Sequence, residues 1–203
     1  PDDPNATQDD GFPRRHVLAR LVDLRTGLRA VKPAVPADSQ EKIDAILAEV
    51  AAHGARHVCV TGGEPLAQKR CLQLLSRLCD AGYSVSLETS GAIDIAGVDP
   101  RVSRVLDIKT PGSAEVERNL WDNLALLTPR DQVKFVICSR ADFDWAKAVL
   151  AEHRLHEVCD VLFSPSATQV PARELADWIV VDKLPVRFQM QLHKLLWNDE
   201  PGR

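Results

Sequence analysis

The sequence has no long uninterrupted apolar run, and this absence argues against a membrane protein. A transmembrane helix needs about 20 consecutive apolar residues, whereas the apolar runs here are only a few residues long. The first segment also lacks the basic start and apolar core of a secretory signal. We therefore expect a cytoplasmic protein that makes no membrane contact.

The chain also lacks an excess of positive charge. Lys and Arg number 25 against 29 Asp and Glu, which gives a formal net charge of -4 at pH 7. Broad, sequence-independent binding of nucleic acid normally requires a basic face. The composition therefore argues against a nucleic-acid partner.

Cysteines are few and odd in number: Cys59, Cys71, Cys79, Cys138 and Cys159. An odd count without an export signal favours reduced thiols over a disulfide framework. We expect all of them except Cys159 to be small buried hydrophobes. The sequence also contains neither a Gly-x4-Gly-Lys-Ser/Thr phosphate loop nor a Gly-x-Ser-x-Gly nucleophile turn.

The length and the apolar content that are present suit one globular domain. The chain has 203 residues, of which 45% are hydrophobic, enough for one well-buried core and too few for two. Residues 1–15 are polar and rich in Asp, Pro and Asn, a composition typical of a disordered arm. We expect residues 16–203 to form the single domain.

Strand-like and helix-like segments alternate along the chain. Strands are expected at 56–60, 83–87, 102–108, 132–138, 158–163 and 186–192, and residues 16–24 fit either a strand or a helix start. Helices are expected over 38–54, 71–79, 115–127, 142–152 and 171–180. Strands joined by helical crossovers pair in parallel. The pattern therefore predicts an α/β fold with a largely parallel sheet, either an open doubly wound sheet or a full or partial βα barrel.

Polar residues follow the ends of successive predicted strands. They occur at 61–64, 88–91, 107–110, 139–140 and 164–166, while Gln189, Gln191 and His193 alternate along the last strand and would share one face. The carboxyl ends of parallel strands meet at one rim, where such folds bind ligands. The sequence therefore predicts one shared polar pocket.

Six motifs in one order carry a family resemblance. They are Val-Thr-Gly-Gly-Glu-Pro-Leu at 60–66, Leu-Glu-Thr-Ser-Gly at 87–91, Leu-Asp-Ile-Lys-Thr-Pro at 106–111, Gln-Val-Lys-Phe-Val-Ile at 132–137, Phe-Ser-Pro-Ser at 163–166 and Gln-Leu-His-Lys at 191–194. From about residue 41 onward the chain resembles 7-carboxy-7-deazaguanine synthase, a radical S-adenosylmethionine (radical SAM) enzyme of queuosine biosynthesis. The resemblance implies a partial βα barrel. It also implies a magnesium-assisted lyase reaction that contracts the ring of 6-carboxy-5,6,7,8-tetrahydropterin and releases ammonia.

The resemblance also implies roles for individual residues. Thr61 and His193 would contact the pterin substrate. The implied adenosylmethionine contacts are Gly62, Gly63, Glu64, Glu88, Ser90, Asp107, Ile108, Lys109, Ser164, Pro165, Ser166 and Ala167. Among these, Gly63 would take the methionine amino group through backbone carbonyls, Lys109 would pair with the carboxylate, and residues 164–167 would hold the adenine edge. Asp107 departs from the family, which has a neutral residue in its place.

The first forty residues depart from the family more severely. The family carries Cys-x3-Cys-x2-Cys after its first strand, followed by an Asp-Thr pair whose threonine serves magnesium, and residues 16–40 contain neither motif. A [4Fe-4S] cluster that leaves one iron open for adenosylmethionine needs three thiolates. The sequence therefore identifies no metal ligand and no catalytic residue, although the resemblance implies both the cluster and Mg²⁺.

Three explanations for this segment stay open. A reading-frame slip could have replaced the true loop, the true N-terminal portion could be missing, or the chain could be a genuine paralogue that binds adenosylmethionine or a pterin without chemistry. As written, the chain is expected to be catalytically dead. The family resemblance further implies a homodimer.

Overall fold

The structure is a computed structural model that describes residues 19–23 and 40–190, and for residues 19–23 it describes the backbone alone. The predicted arm over 1–15 lies outside these residues, and so do Gln191 and His193. Across the described residues, no helix is long and apolar enough to cross a membrane.

Seven parallel strands form one sheet in which the spatial order follows the chain order. The strands are β1 Ala19–Asp23, β2 His57–Thr61, β3 Ser84–Thr89, β4 Ser103–Ile108, β5 Gln132–Ile137, β6 Asp160–Pro165 and β7 Arg187–Phe188. A doubly wound sheet reverses its strand order at one point, and this sheet does not. The predicted partial barrel is therefore confirmed, and the described part of the segment predicted at 16–24, Ala19–Asp23, is a strand rather than a helix start.

Four α-helices follow β1, β2, β5 and β6. They are α1 Gln40–Ala52, α2 Cys71–Asp80, α3 Arg140–Glu152 and α4 Ala172–Val181. Right-handed crossovers in a sequential sheet place all of them on the same face. Their apolar side chains pack against alternate strand residues, which include Val60, Leu87, Leu106, Phe135 and Phe163, each fully buried. Burial of side chains of this size contributes about 1.5–3 kcal/mol each.

The helix predicted over 115–127 is wrong. The structure has two short 3-10 segments there, Val116–Arg118 and Trp121–Leu126. The apolar spacing is helical, but the side chains of Asn119 and Asn123 hydrogen-bond to backbone groups of neighbouring loops. Asparagine competes in this way with regular helix, and the tertiary contacts outweigh the helical pattern. Of the strand predicted over 186–192, the described residues 186–190 form a strand only at Arg187–Phe188, which is β7.

The face of the sheet opposite the helices, called the inner face below, is polar and only partly covered. Burial alternates along β3 and β5, with Ser86, Glu88 and Lys134 partly exposed between fully buried neighbours. Parallel sheets are normally apolar and buried on both faces. A polar inner face therefore indicates that this side of the sheet lines a ligand cleft.

A buried ion pair between Arg104 and Asp131 lies at the amino-terminal ends of β4 and β5, called the amino-terminal edge below. The Asp131 side chain is 0% exposed. Its oxygens also accept hydrogen bonds from the Arg104 backbone N–H (2.7 Å) and from the N–H and hydroxyl of Thr128 (both 2.8 Å). Burial acts to raise the pKa of Asp131, but the hydrogen bonds from Arg104 and Thr128 outweigh burial and lower it.

Candidate functional site

An open cleft with a cavity volume of about 80 Å³ lies at the carboxyl-terminal rim of β2, β3, β4 and β5. Its lining residues are Thr61, Gly63, Glu88, Thr89, Ser90, Val105, Asp107, Lys109 and Lys134. Six of these were predicted from the sequence as site residues, and the structure brings them together. Thr89, Val105 and Lys134 are additional.

The turn after β2 brings the backbone to the edge of the cleft. Gly62 and Gly63 have positive φ angles of 105° and 58°, and residues other than glycine rarely adopt this backbone conformation. The paired glycines let the chain reverse directly after Thr61. The Thr61 hydroxyl then donates to Glu88 Oε2 across the two strands at 3.4 Å.

Glu64 ties this turn to the end of β3. Its carboxylate accepts hydrogen bonds from Leu66 N (3.1 Å), Thr89 Oγ1 (2.9 Å) and Ser90 N (2.8 Å), and also from the Ser90 hydroxyl. Both carboxylate oxygens are therefore engaged by donors of the chain itself. Glu64 shapes the rim by holding Ser90 beside the glycine turn.

Asp107 and Lys109 form an ion pair on the inner face, with Lys109 Nζ 2.8 Å from Asp107 Oδ2. Asp107 Oδ1 is buried and has no hydrogen-bond partner in the described part of the chain. Lys134 is the direct cross-strand neighbour of Asp107 on β5 and makes no ion pair with a described carboxylate. The cleft therefore offers two ammonium groups to a ligand, beside a carboxylate whose second oxygen is buried without a donor.

Sequence reasoning missed Lys134 because it looked for polar residues after the strands rather than within them. The signal was present, since Lys134 stands between the apolar residues Val133 and Phe135 of β5, which are both buried. A lysine at an alternating position of a buried strand must point to the face away from the helices.

The remaining predicted residues do not line the cleft. Gly62 lies in the turn, and Ile108 is 1% exposed in the core on the helix side, so only its backbone could meet a ligand. Ser164, Pro165, Ser166 and Ala167 lie at the end of β6. Ser164 is completely buried, and its hydroxyl has no hydrogen-bond partner within the described residues. His193 lies outside the described residues.

The five thiols are poorly suited to hold an iron–sulfur cluster. Cys71 is buried on α2, as the sequence predicts. The prediction that Cys59 lies in the core is wrong, because Cys59 lies on the inner face beside Thr61. Burial, followed by the nearby Glu88 carboxylate, raises the pKa of Cys59 to about 11. Burial likewise raises the pKa of Cys159 to about 11 and that of Cys71 to about 12. Three of the five thiols are thus enclosed by the fold, and they lie on separate elements, β2, α2 and the start of β6.

No arrangement of ligands compensates for this. Over residues 19–23 and 40–190, no group of three Cys, His, Asp or Glu side chains is placed to hold a metal ion. The sequence has no cysteine before Cys59, so the segment between β1 and α1 cannot supply the family's three thiolates. The residues present therefore do not fit the [4Fe-4S] cluster, nor does the described part of the chain contain a fitting Mg²⁺ site.

No model of a known protein family matches the chain, but individual relatives match it closely. It is 46% identical over 161 residues to 7-carboxy-7-deazaguanine synthase of Chlorobaculum tepidum, and the matched region covers 78% of this chain and 73% of that one. It is 38% identical over 176 residues to the synthase of Koribacter versatilis, covering 80% and 77%. A third synthase, from Methanospirillum hungatei, is 34% identical over 169 residues, covering 79% and 69%.

Solved structures agree on the fold. QueE from Escherichia coli superposes with a TM-score of 0.54 at 23% identity, over 73% of this chain and 63% of that one. Streptococcus suis SuiB, bound to S-adenosylmethionine, gives a TM-score of 0.51 at 13% identity, over 76% and 44%. Taken with the sequence relatives, the chain belongs to the 7-carboxy-7-deazaguanine synthase family.

Proposed function

We propose that this chain serves the reaction of its family, the ring contraction of 6-carboxy-5,6,7,8-tetrahydropterin to 7-carboxy-7-deazaguanine with loss of ammonia. The observation that carries the proposal is the rim cleft, in which Thr61, Glu88 and Lys109 meet in a chain 46% identical to a named synthase. The reaction class is that of a carbon–nitrogen lyase in the biosynthesis of queuosine and related deazapurines.

Adenosylmethionine is the cofactor that the cleft suits. Lys109 offers a cation for the methionine carboxylate, and the partly exposed carboxylate of Asp107 offers an acceptor for the amino group. Glu88 and Ser90 lie on the same rim, where hydroxyl groups of the ribose could bond to them. SuiB, with the same fold, is bound to S-adenosylmethionine.

The pterin would occupy the part of the cleft between Thr61 and Lys134. Its amino and amide groups suit Thr61 and Glu88, and its carboxylate suits the ammonium of Lys134, which has no carboxylate partner among the described residues. His193, by family resemblance, would complete this side. The role of these residues is to bind and orient the substrate beside the cofactor.

In the family, adenosylmethionine supplies radical chemistry together with an iron–sulfur cluster, and the residues of this chain do not fit that cluster. We therefore assign no radical step to it. This disagreement favours a second candidate function, a protein that binds adenosylmethionine or the pterin in the same cleft without transforming them.

Reconstitution separates the two candidates. The lyase function requires that protein incubated anaerobically with iron and sulfide, then with dithionite, adenosylmethionine and the carboxytetrahydropterin, develops a brown 4Fe-4S chromophore and forms 7-carboxy-7-deazaguanine, detected by mass spectrometry. Lys109→Met serves as the control, because it should retain the iron and lose product formation. Colourless wild-type protein without iron or product would reject the lyase function. The neighbouring reading frames of the coding DNA should then be searched for three cysteines before α1.

Calorimetry tests the second candidate. Folded protein, checked by circular dichroism, should release or absorb heat with adenosylmethionine or with the carboxytetrahydropterin. The absence of heat with both would reject the binding function.

We further propose a cytoplasmic homodimer by family resemblance. Light scattering on purified protein would test the dimer by measuring the molecular mass.

A further inference from the structure

Two asparagines are buried in the irregular segment between β4 and β5. Asn119 is 7% exposed and Asn123 is 1% exposed. A buried side-chain amide must find partners for its donor and acceptor groups, or its burial is costly. Both asparagines find them in the backbone of loops that border the cleft.

The Asn119 side chain makes two hydrogen bonds to the backbone of one cleft residue, Lys109, and this pair of bonds is called the bracket below. Its Oδ1 accepts a hydrogen bond from the Lys109 backbone N–H at 2.9 Å, and its Nδ2 donates to the Lys109 backbone carbonyl, also at 2.9 Å. Asn119 itself is fixed because its own N–H donates to the Val116 carbonyl. One side chain therefore satisfies both backbone groups of Lys109.

This bracket acts where the sheet ends. The last register pair between β4 and β5 joins Ile108 to Phe135, so the backbone of Lys109 has no strand partner there. Beyond it, the Thr110 hydroxyl donates to the Val136 carbonyl at 3.2 Å, and Asp142 accepts from Gly112 N at 2.8 Å. Asn119 thus takes over from the strand at a residue whose ammonium enters the cleft.

We propose that Asn119 is a positioning residue, which fixes the backbone of Lys109 and so determines where its ammonium and the paired Asp107 are presented to a ligand. The role toward adenosylmethionine depends on the function proposed above. The mechanical role, immobilising Lys109, does not.

Asn123 supplies a matched control from the same segment. Its Nδ2 donates to the carbonyls of Gly91 (3.2 Å) and Ile93 (2.9 Å), and its Oδ1 accepts from Ile95 N at 3.1 Å. It makes a comparable number of bonds at comparable burial, but it holds the loop after β3 rather than Lys109.

Hydrogen–deuterium exchange tests the mechanical role without any ligand. Asn119→Ala should speed exchange in peptides covering 107–112 by at least about tenfold, because the bracketed amide loses its acceptor, and should leave 91–96 near the wild-type rate. Asn123→Ala should give the reverse pattern. Equal changes in both regions, or no change at 107–112, would overturn the proposal. If Asn119→Ala does not fold, Asn119→Leu also removes the acceptor of Lys109 N–H while filling a similar volume, so the same local comparison can be made.

A double-mutant cycle tests the role toward the cofactor, with affinities for adenosylmethionine measured by calorimetry. We expect Lys109→Met to weaken binding about tenfold and Asn119→Ala about fivefold. The double variant should match Lys109→Met within about twofold, because Asn119 acts through Lys109. Fully additive losses would reject a positioning role. If the wild type does not bind adenosylmethionine, the proposed function fails, and the exchange experiment still decides whether Asn119 immobilises Lys109.

Discussion

Two carboxylates face cations at opposite ends of the same sheet, and their surroundings differ. At the amino-terminal edge, Asp131 is fully buried and accepts hydrogen bonds from Arg104 and Thr128 through both oxygens. At the carboxyl-terminal rim, Asp107 pairs with Lys109 through Oδ2, while its buried Oδ1 has no donor within the described residues. The first pair is complete, and the second is not.

The difference separates a folding role from a binding role. An unsatisfied buried acceptor costs about 1–3 kcal/mol, so the arrangement at Asp107 does not arise from selection for stability alone. A rotation of the carboxylate that brings Oδ1 to the cleft would let a ligand amine or hydroxyl remove that cost. The amino-terminal edge offers a ligand nothing comparable, because the Asp131 carboxylate already has its donors.

The largest expected effect comes from breaking the complete pair. Asp131→Ala leaves the Arg104 guanidinium almost buried without its carboxylate, and loss of one partner of such a pair costs about 3–5 kcal/mol. Urea denaturation followed by circular dichroism would measure the fall in the free energy of unfolding. A loss below about 1 kcal/mol would contradict a folding role for this pair.

Acid should break the same pair more gently. The pKa of Asp131 is lowered in the folded chain, so its stabilising contribution is present above the unfolded value, about 3.9. The contribution is lost as pH falls through that value toward the lowered pKa. Stability measured from pH 7 to pH 3 should decline more steeply in the wild type than in Asp131→Asn. Parallel curves would argue against this linkage.

A third, smaller effect concerns the loop that follows Lys109. A Cβ at Gly112 would collide with the Asp142 carboxylate, which holds Gly112 N and Cys138 N at 2.8 and 3.1 Å. Gly112→Ala should therefore cost about 1–3 kcal/mol through overpacking. Gly97→Ala is the control, because its Cβ would meet only the exposed, movable side chain of Leu72. Similar thermal midpoints for the two variants would refute the argument.

The smallest effect on stability is expected at the incomplete pair. Asp107→Asn removes a partly exposed ion pair worth about 0–1 kcal/mol, so its unfolding curve should nearly overlay that of the wild type. Its affinity for adenosylmethionine should nevertheless fall about tenfold, as measured by calorimetry. A large loss of stability with unchanged affinity would reverse the assigned roles of the two carboxylates.

The sheet was predictable because period-two burial and helical spacing are local properties of the sequence. The strands from β2 to β6 and all four helices lie within about two residues of their expected positions. The failure at 115–127 has a non-local cause, since Asn119 and Asn123 gain their bonding partners only when the loops after β3 and β4 pack against them. Sequential strand order likewise distinguishes a barrel from a doubly wound sheet only after the chain is folded.

The site was predictable at the strand ends and less so elsewhere. The residues after β2, β3 and β4 converge because parallel strands end together. Lys134 was missed because a cation inside a strand becomes a cleft residue only through its cross-strand neighbour Asp107. The pairing of Glu64 with Thr89 and Ser90 depends on side-chain direction across two strands, which motif spacing does not contain.

The raised thiol pKa values have a practical consequence for chemistry on this protein. A thiol with a pKa near 11, as for Cys59 and Cys159, is ionised in only about one molecule in 10⁴ at pH 7. Alkylating reagents and mild oxidants should therefore react slowly with Cys59 and Cys159. The partly exposed thiols of Cys79 and Cys138 should be modified first, so replacing these two by serine would leave a chain in which a newly introduced cysteine could be labelled selectively.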